Sequence, residues 1–569
     1  MLYPPVFAFH LSATQQDQEH QTLWKRLEDI TNIEVERPLA LNVWQGADYT
    51  LRFELAVADH VLNENEHDLL LRQLDSMVTV LAENSHSPLA SLTDGFPDAL
   101  LSQTTPRRDT DCPSTKSATF YVEHWAAQHP DWRAAEIVTT LDLDCTETES
   151  WNYAELNAEA NRIARFLLGH GITKQMIGMC IGRTLMSLAV PLGILKSGNA
   201  YLPIDEALPA ERKEVLLQDC NAAFIFTTPE LVDGVQVPQA CKLANVEDKA
   251  FLDELAKQSG NDVLHRCESR DNSYLLYTSG STGKPKGVLV SQENLASFVE
   301  AQSEFICDVT TTRELAGRGK YLGLASRAFD VHIGEMFLAW RHGFAITTGW
   351  KSMLLHDLAL CLSSLHITHA SFVPSLLDQT GLDPEDAPDL VFLCVGGEKR
   401  SQKTKKKRGS LANVGLINAY GPTEATIGCC SARLYPNSNA QNIGTPLGDS
   451  VGHVLIPGTD NYALRGIPGE LCFTGSLIAN GYLNRPDAKG FVEDFRGQRM
   501  YRTGDIVKLR EDDQILFLGR KDDQVKIRGR RVELGEVAEG VREASDQPID
   551  TAALVVRHPE LSRDQLVAL

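Results

Sequence analysis

Five short apolar runs recur along the chain: AAFIFT (222–227), SYLLYT (273–278), GVLVS (287–291), DLVFLCV (389–395) and GLINAY (415–420). Nothing else in the sequence constrains the fold as much. Each run has the length of a strand, and a strand apolar on both faces has to be covered on both faces. Helices on either side of a sheet provide that cover, so an α/β core of layered sheets and helices is expected. A helical partner is visible in WNYAELNAEANRIARFLLGHGI (151–172), which is amphipathic and runs into Gly169 and Gly171, a helix stop. From Gly466 onward the segments shorten (PGELCFTGS, YRTGDIVKL, QILFLGR), and the tail reads as richer in strand.

At 569 residues the chain exceeds one ordinary core. Residues 1–95 read as a separate piece, with a half-buried strand in YTLRFELAVADHVL (49–62) and a helix in 64–84. That helix would place Leu69, Leu70, Leu74, Met77, Val78 and Leu81 on one side. A stretch rich in Pro, Ser, Thr and Asp follows, and residues 96–118 are expected to be a linker. A net charge of −22 argues against a chain built to coat nucleic acid or an anionic membrane. No apolar run reaches the ~18 residues that span a bilayer, and the N-terminus lacks a basic, then apolar, leader pattern. The cytoplasm is the simplest compartment. The cysteines are scattered without paired CxxC clusters and read as reduced, buried thiols. The basic run 403–408 reads as a solvated loop.

Between two of the apolar runs lies TSGSTGKPKG (278–287), a loop of hydroxyls, glycines and lysines. A P-loop is not spelled, because Gly283-Lys284 is followed by Pro285 and Thr278 stands where the first glycine belongs. Nor is a G-x-S-x-G elbow. The composition still suits an anion: glycines let backbone N–H groups approach closely, hydroxyls donate, and lysines supply charge.

The string YTSGSTGKPKG resembles the signature of the adenylate-forming superfamily, which includes acyl-CoA synthetases, luciferases and nonribosomal peptide synthetase adenylation domains. Further signatures stand in the expected order: YAELN (153–157), LKSGNAYLPIDEALPAER (195–212), NAYGPTEAT (418–426), GELCFTG (469–475), YRTGD (501–505) and GRKDDQVKIRGRRVELGEV (519–537). The resemblance runs from about residue 119 to the end. It implies a large core over 119–520 and a partial, small α+β subdomain over 521–569, hinged at Asp522. It further implies that Thr278, Ser279, Gly280, Ser281, Thr282, Gly283 and Lys284 hold the outer phosphates of ATP. Tyr420 would stack on adenine, Thr423 would face the α-phosphate and Glu424 would hold Mg²⁺. Asp505 would accept the ribose hydroxyls, with Arg520 beside it. A hard cation between phosphates needs oxygen ligands, as this set offers. The reaction implied is attack of a substrate carboxylate on the α-phosphate, with pyrophosphate leaving, by positioning and charge neutralisation.

AFDVHIGEMF (328–337) resembles the peptide-synthetase segment whose Asp, here Asp330, grips a substrate α-ammonium. A buried ammonium needs a paired anion. Residues 1–95 resemble the tail of a condensation domain, without an HHxxxD motif. The overall style resembles fungal synthetases. The pocket positions implied are Asp330, Val331, Gly334, Ser371, Cys394, Gly396, Ala419, Ile427 and Gly428. Three glycines suggest room, and apart from Asp330 no charge lines the wall, so an uncompensated ionic side chain would be costly there. A bulky neutral amino acid is expected, such as an Nδ-acyl-Nδ-hydroxyornithine of a siderophore, with tryptophan or leucine as the plainer choice. Cys394 reads as wall, and His332 equally as packing. The partners implied are an upstream condensation domain and a downstream carrier domain bearing phosphopantetheine, on a monomeric segment that binds neither nucleic acid nor membrane. The C-terminal lysine that the family uses in adenylation is absent from the chain, whose last lysine is Lys526. Impaired turnover is therefore expected, and a binding fragment without turnover or an acyl-CoA-ligase-like enzyme stands as the alternative.

Overall fold

The structure, a computed structural model, describes residues 6–11, 39–45, 51–57, 62–83, 95–107, 117–263, 267–279, 285–380, 382, 384–398, 414–435, 438–486, 488–522, 524–527, 530–544, 550–557 and 564–568. Among these, two large sheets carry the core. In the first, Met176–Cys180, Ala200–Pro203, Phe224–Thr227 and Lys242–Asn245 run parallel. Asn272–Thr278 joins beside Ala200–Pro203 and turns back as an antiparallel hairpin into Lys286–Ser291. In the second, six neighbouring strands are parallel: Arg133–Leu141, Ala345–Gly349, Lys320–Gly323, His369–Phe372, Phe392–Gly396 and Gly415–Tyr420. Beyond Gly415–Tyr420 the sheet turns antiparallel, through Cys430–Arg433 and Asn442–Pro446 to Ile515–Arg520 and Gln498–Leu509. All five apolar runs are strands in one sheet or the other, as the α/β reading expects.

Helices fill the space around both sheets because their local sequences start and bury them. Asn152 and Glu155 form a reciprocal cap, each side chain and backbone amide bonded at 2.8 Å, which launches Tyr153–Gly169. Its apolar stripe, Leu156, Ala160, Ile163 and Leu167, is fully buried. Met186–Lys196 is apolar on every side and is buried on every side. Ser291 and Asn294 form the same reciprocal cap where the hairpin ends, so Gln292–Val309 starts directly from the sheet. It packs against the helix Val331–Arg341, which in turn covers Lys320–Gly323 and Ala345–Gly349.

The N-terminal piece has a three-stranded sheet, Val6–Leu11, Leu39–Gln45 and Leu51–Val57, and a helix Glu64–Glu83. The helix buries Leu69, Gln73 and Val80, whereas Met77 and Leu81 of the expected face are 38% and 40% exposed. The face is turned because Gln73 Nε2 donates to the Arg465 carbonyl at 2.7 Å, while Leu69 and Val80 belong to one buried apolar cluster with Leu455 and Tyr462. A polar residue with a fixed partner thus takes a central place that hydropathy assigned to a leucine. Part of the stretch read as linker is docked. The Ser102 amide donates to the Ala463 carbonyl at 2.9 Å and that of Thr104 to the Gly452 carbonyl at 2.9 Å, and Arg465 Nη2 holds the Gln103 carbonyl at 2.8 Å. At the other end, two hairpins, Gln524–Ile527 with Arg530–Glu533 and Ala553–Arg557 with Asp564–Ala568, and the helix Leu534–Glu543 form a small α+β unit.

Candidate active site

At the antiparallel end of the second sheet, Asp505 and Arg520 face each other across neighbouring strands. Arg520 Nη1 donates to Asp505 Oδ1 at 2.9 Å and to the Thr503 carbonyl at 2.8 Å. The same guanidinium holds Asp522 with Nε at 2.8 Å and Nη2 at 2.7 Å. Burial pulls Arg520 down, but its hydrogen bonds to these carboxylates and their charges together hold it above its usual range. The Tyr420 hydroxyl donates to Asp505 Oδ2. Gly504 has φ +73°, and a Cβ there would stand 3.0 Å from Arg520 Nη2, so the turn and the guanidinium together require glycine. The residues read as adenine platform, ribose acceptor and hinge thus form one bonded group. Each oxygen of Asp505 keeps a lone pair for a further donor.

Tyr420 leads from the strand Gly415–Tyr420 into the turn GPTEATIG. A Cβ on Gly421 would lie 2.6 Å from the Gly428 Cα, so the two arms of this turn touch backbone to backbone. Thr426 and Ile427 take φ of +50° and +64°, a left-handed conformation costly for branched residues and of the kind found at functional sites. It is held by the Thr426 hydroxyl donating to the Leu477 carbonyl at 2.7 Å and by the Gly428 amide on the Thr426 carbonyl at 2.6 Å. Glu424 is 1% exposed and accepts from the Tyr482 hydroxyl at 2.7 Å. The Lys286 ammonium sits 5.6 Å from the centre of the Tyr482 ring, which ties this turn to the strand after the hydroxyl-rich loop. Among the described residues no cluster of three or more His, Cys, Asp or Glu side chains could hold a metal alone. A single buried carboxylate fits Mg²⁺, which keeps waters and completes its shell with substrate phosphates.

Asp330 precedes the helix Val331–Arg341 and is 6% exposed, and its Oδ2 has no hydrogen-bond partner. Burial pushes its carboxyl up to about 6; the Thr423 hydroxyl and the Ile427 amide pull it down, and the charge of Glu424 pushes it up. The Tyr274 hydroxyl is also buried without a partner, and Asp330 acts on it. Ser371 and Cys394 are register partners on parallel strands, as are Gly396 and Ala419. A Cβ on Gly334 would meet Ile427 Cγ2 at 3.3 Å and the Phe298 ring at 3.4 Å. One on Gly428 would meet Phe298 at 3.6 Å, and one on Gly396 the Ala419 carbonyl at 2.6 Å. The glycines therefore admit neighbouring atoms rather than open a void, which corrects the argument for room made from their number. Val331 is 39% exposed. Burial pushes the Cys394 thiol up to about 12, so it is no nucleophile at neutral pH. His332, bonded to the Tyr201 hydroxyl at 3.2 Å and pushed by burial down to about 3, is neutral packing.

Thr278 ends its strand opposite Lys286, its hydroxyl 3.4 Å from the Lys286 carbonyl, and Ser279 follows. Gly280, Ser281, Thr282, Gly283 and Lys284 lie outside the described residues. Two polar side chains escaped the sequence reading. Tyr274 looked like one more apolar position of a strand. Glu335 was given no role, yet it is 2% exposed, with Oε1 lacking any partner. No local pattern marks either residue as a buried polar group.

A family profile described as AMP-binding enzyme matches residues 122–483. Over its whole length the chain is 47% identical to nonribosomal peptide synthetase sidC of Aspergillus fumigatus and 45% identical to nonribosomal peptide synthetase sidN of Epichloe festucae. It is 36% identical to siderophore peptide synthetase fer3 of Mycosarcoma maydis. It spans 12% of the length of each of these relatives. Its fold resembles that of PA1221, a nonribosomal peptide synthetase protein containing adenylation and PCP domains. That match has a TM-score of 0.67 at 23% identity and covers 81% of this chain and 77% of the other. The four-domain synthetase AB3403, bound to AMP and glycine, matches with a TM-score of 0.67 at 24% identity over 94% of this chain and 39% of the other. The chain belongs to the AMP-binding enzyme family and is similar along its whole length to segments of fungal nonribosomal peptide synthetases.

Proposed function

We propose that this domain activates a bulky, uncharged amino acid, an Nδ-acyl-Nδ-hydroxyornithine, as its aminoacyl-AMP for a siderophore. The adenylate would be passed in the cytoplasm to the phosphopantetheine thiol of a downstream carrier domain, for use with an upstream condensation domain. The observation that carries amino-acid activation is the buried Asp330 oxygen without a partner, since an enclosed carboxylate in that state is completed by an ammonium. The substrate class rests on the likeness to siderophore synthetases and on a wall with no charge beside Ser371, Cys394 and Ala419.

Asp330 fixes the ammonium end and so aims the substrate carboxylate along the turn that carries Thr423. That hydroxyl, which lowers the Asp330 carboxyl, stands between the ammonium site and Glu424. Residues 278–284 hold the outer phosphates, Tyr420 the adenine face and Asp505 the ribose, with Arg520 keeping Asp505 oriented. Mg²⁺ held by Glu424 would neutralise the phosphate charge that grows as pyrophosphate leaves. The chain thus acts by positioning, and each residue named either binds or orients.

Amino-acid-dependent exchange of labelled pyrophosphate into ATP tests turnover, and calorimetry with aminoacyl sulfamoyl adenosines tests selection independently of it. Binding of the Nδ-acyl-Nδ-hydroxyornithyl compound about 100-fold more tightly than the tryptophanyl and leucyl ones is expected. Preference for either of the latter rejects the substrate class. Binding of a fatty-acyl adenylate analogue in preference to all three rejects amino-acid activation.

A further inference from the structure

The segment 476–483 is bonded both to the turn that carries Glu424 and to the hairpin strand Lys286–Ser291. Its backbone carbonyls at 476–480 are each taken by a side chain from elsewhere in the chain. Asn294 Nδ2 donates to those of Ser476 and Ile478 at 2.7 and 3.1 Å, and the Thr426 hydroxyl donates to that of Leu477 at 2.7 Å. Arg499 holds the carbonyls of Ala479 and Asn480, the latter with Nη2 at 2.9 Å. The amides are used as well. That of Ala479 donates to the Glu424 carbonyl at 3.0 Å, that of Asn480 to Leu289 at 2.7 Å and that of Leu483 to Gly287 at 2.8 Å. Only Gly481–Tyr482 joins a sheet, opposite Leu289 and Val288. Gly481 takes φ +127°, and a Cβ there would stand 3.3 Å from Arg499 Nη2, so the chain bends at glycine just before Tyr482. So many side chains spent on the carbonyls of one loop fix a backbone that has almost no ladder of its own.

This frame delivers one polar group to the active site. The Tyr482 hydroxyl donates to Glu424 Oε1 at 2.7 Å, and the Glu424 carbonyl is already held by Ala479. Glu424 is therefore bonded to the segment through its backbone and through its side chain. The tyrosine ring is fixed independently. Phe491 meets it edge-on with 5.1 Å between ring centres, and the Lys286 ammonium lies 5.6 Å from its centre. A phenol is a neutral donor, so it orients a carboxylate without cancelling the charge that a cation needs. One such bond also leaves acceptor capacity, because a carboxylate offers about four lone-pair sites. Carboxylates that ligate metals are themselves commonly aimed by a hydrogen bond of this kind.

We propose that Tyr482 is a positioning residue that aims the Glu424 carboxylate at the Mg²⁺ accompanying ATP. It acts through Glu424. Because Tyr482 pairs with Val288, it also ties that carboxylate to the strand that follows the hydroxyl-rich loop, so that the metal ligand and that strand share one frame. The inference rests on the reading of Glu424 as the residue that holds Mg²⁺, and it adds what keeps that residue in place.

Calorimetric titration with ATP, in Mg²⁺ and in a chelator, tests it, with AMP as the ligand that lacks the outer phosphates. The ratio of the two ATP affinities measures what the ion contributes. Mg²⁺ should tighten ATP in the wild-type protein, and Tyr482→Phe, which keeps the ring, should cut that gain by about 10-fold. AMP and metal-free ATP should bind this variant within about 2-fold of wild type. Glu424→Gln should lose the gain altogether. A ratio kept in Tyr482→Phe but lost in Glu424→Gln overturns the inference and leaves the metal reading standing. A ratio that is the same in wild type and both variants overturns the metal reading, and the inference with it. Equal weakening of AMP and of ATP in both conditions also overturns the inference, because the tyrosine then only supports the fold. Should Tyr482→Phe not fold, meta-fluorotyrosine in place of Tyr482 keeps the hydroxyl and supplies a fluorine resonance. That resonance should shift when Mg²⁺ is added to the ATP complex, and a resonance that stays put refutes the coupling.

Discussion

The two ends of the site are built on opposite plans. Around Asp505 every polar group is answered within the protein: Arg520 and Tyr420 take its oxygens, and Asp522 holds the far side of the guanidinium. Around the helix Val331–Arg341, Asp330 Oδ2, the Tyr274 hydroxyl, Glu335 Oε1 and Arg327 Nη1 are buried and unanswered. The first plan suits a ligand that is always the same, for which a rigid acceptor can be made in advance. The second leaves desolvated groups in the free protein, so that only a ligand with the right functional groups recovers what burial has taken away. On the proposed function, selectivity is therefore concentrated where the free protein is least comfortable.

The largest effect expected from this contrast is at Asp330. On the proposed function, Asp330→Ala leaves a substrate ammonium enclosed without its anion and should weaken an aminoacyl sulfamoyl adenosine by about 100-fold or more. Adenosine-only ligands should bind as before. Titration calorimetry with both ligands reads the split, and parallel loss of both would erase the proposed distinction between the two ends.

Asp505→Ala comes next. It removes the proposed ribose acceptor and leaves Arg520, partly buried, with Asp522 and the Thr503 carbonyl only. Nucleotide affinity should fall about 30-fold, with a loss of about 2 kcal/mol in chemical denaturation. Because the rest of the corner is already satisfied, the loss of stability should exceed that of Asp330→Ala, which relieves an unpaired charge. An Asp330 variant that unfolds more readily than Asp505→Ala contradicts the contrast.

The Asp330 carboxyl also gives a pH dependence. Its folded value of about 6 lies above the ordinary 3.8, so the folded protein holds a proton that the unfolded chain has lost between those values. Stability contributed by this group accordingly declines as pH rises from about 4 to 6 and is lowest above that. Ligand binding runs the other way, since the ammonium pairs with the ionised form: affinity for the aminoacyl compound should rise up to about pH 6 and then level. Asp330→Asn should flatten both profiles, and an unchanged profile in that variant would assign the titration to another group.

Much of this was legible in the sequence, for identifiable reasons. Strand runs such as SYLLYT and GLINAY announce themselves because burial on both faces leaves few polar residues along them. Tyr420, Asp505 and Arg520 lie far apart in the chain, and the motifs around them identified each, but only the antiparallel register shows that they are bonded into one group. The N-terminal helix was found, yet its buried face was misjudged, because the partner that buries Gln73 is a backbone carbonyl nearly four hundred residues later. Glu335 was missed for a related reason. Whether a glutamate on a helix faces solvent or a cavity depends on the sheet beneath it, and no local pattern reports that. The glycine argument failed because absent side chains tell how close something comes without telling what comes, and at Gly334 and Gly396 it is the protein itself.

The smallest effect, and the one that sharpens the contrast furthest, is expected at Tyr420. Its hydroxyl donates to Asp505 Oδ2, while its ring belongs to the large apolar cluster, 6.4 Å from the centre of Phe517. Tyr420→Phe keeps the ring, and with it the face on which an adenine would stack. Asp505 loses one internal donor but keeps Arg520, and the freed lone pair is open to a ribose hydroxyl. The two consequences oppose each other, so AMP affinity should change by no more than about 3-fold, with a stability loss of about 1 kcal/mol. Tyr420→Ala removes the platform as well and should weaken AMP by about 10-fold, in the range of a lost base–aromatic stack. Fluorescence or calorimetric titration with AMP distinguishes the cases. If Tyr420→Phe is as damaging as Tyr420→Ala, the hydroxyl rather than the ring is the working part, and the nucleotide end is less completely prepared in the free protein than its hydrogen bonds imply.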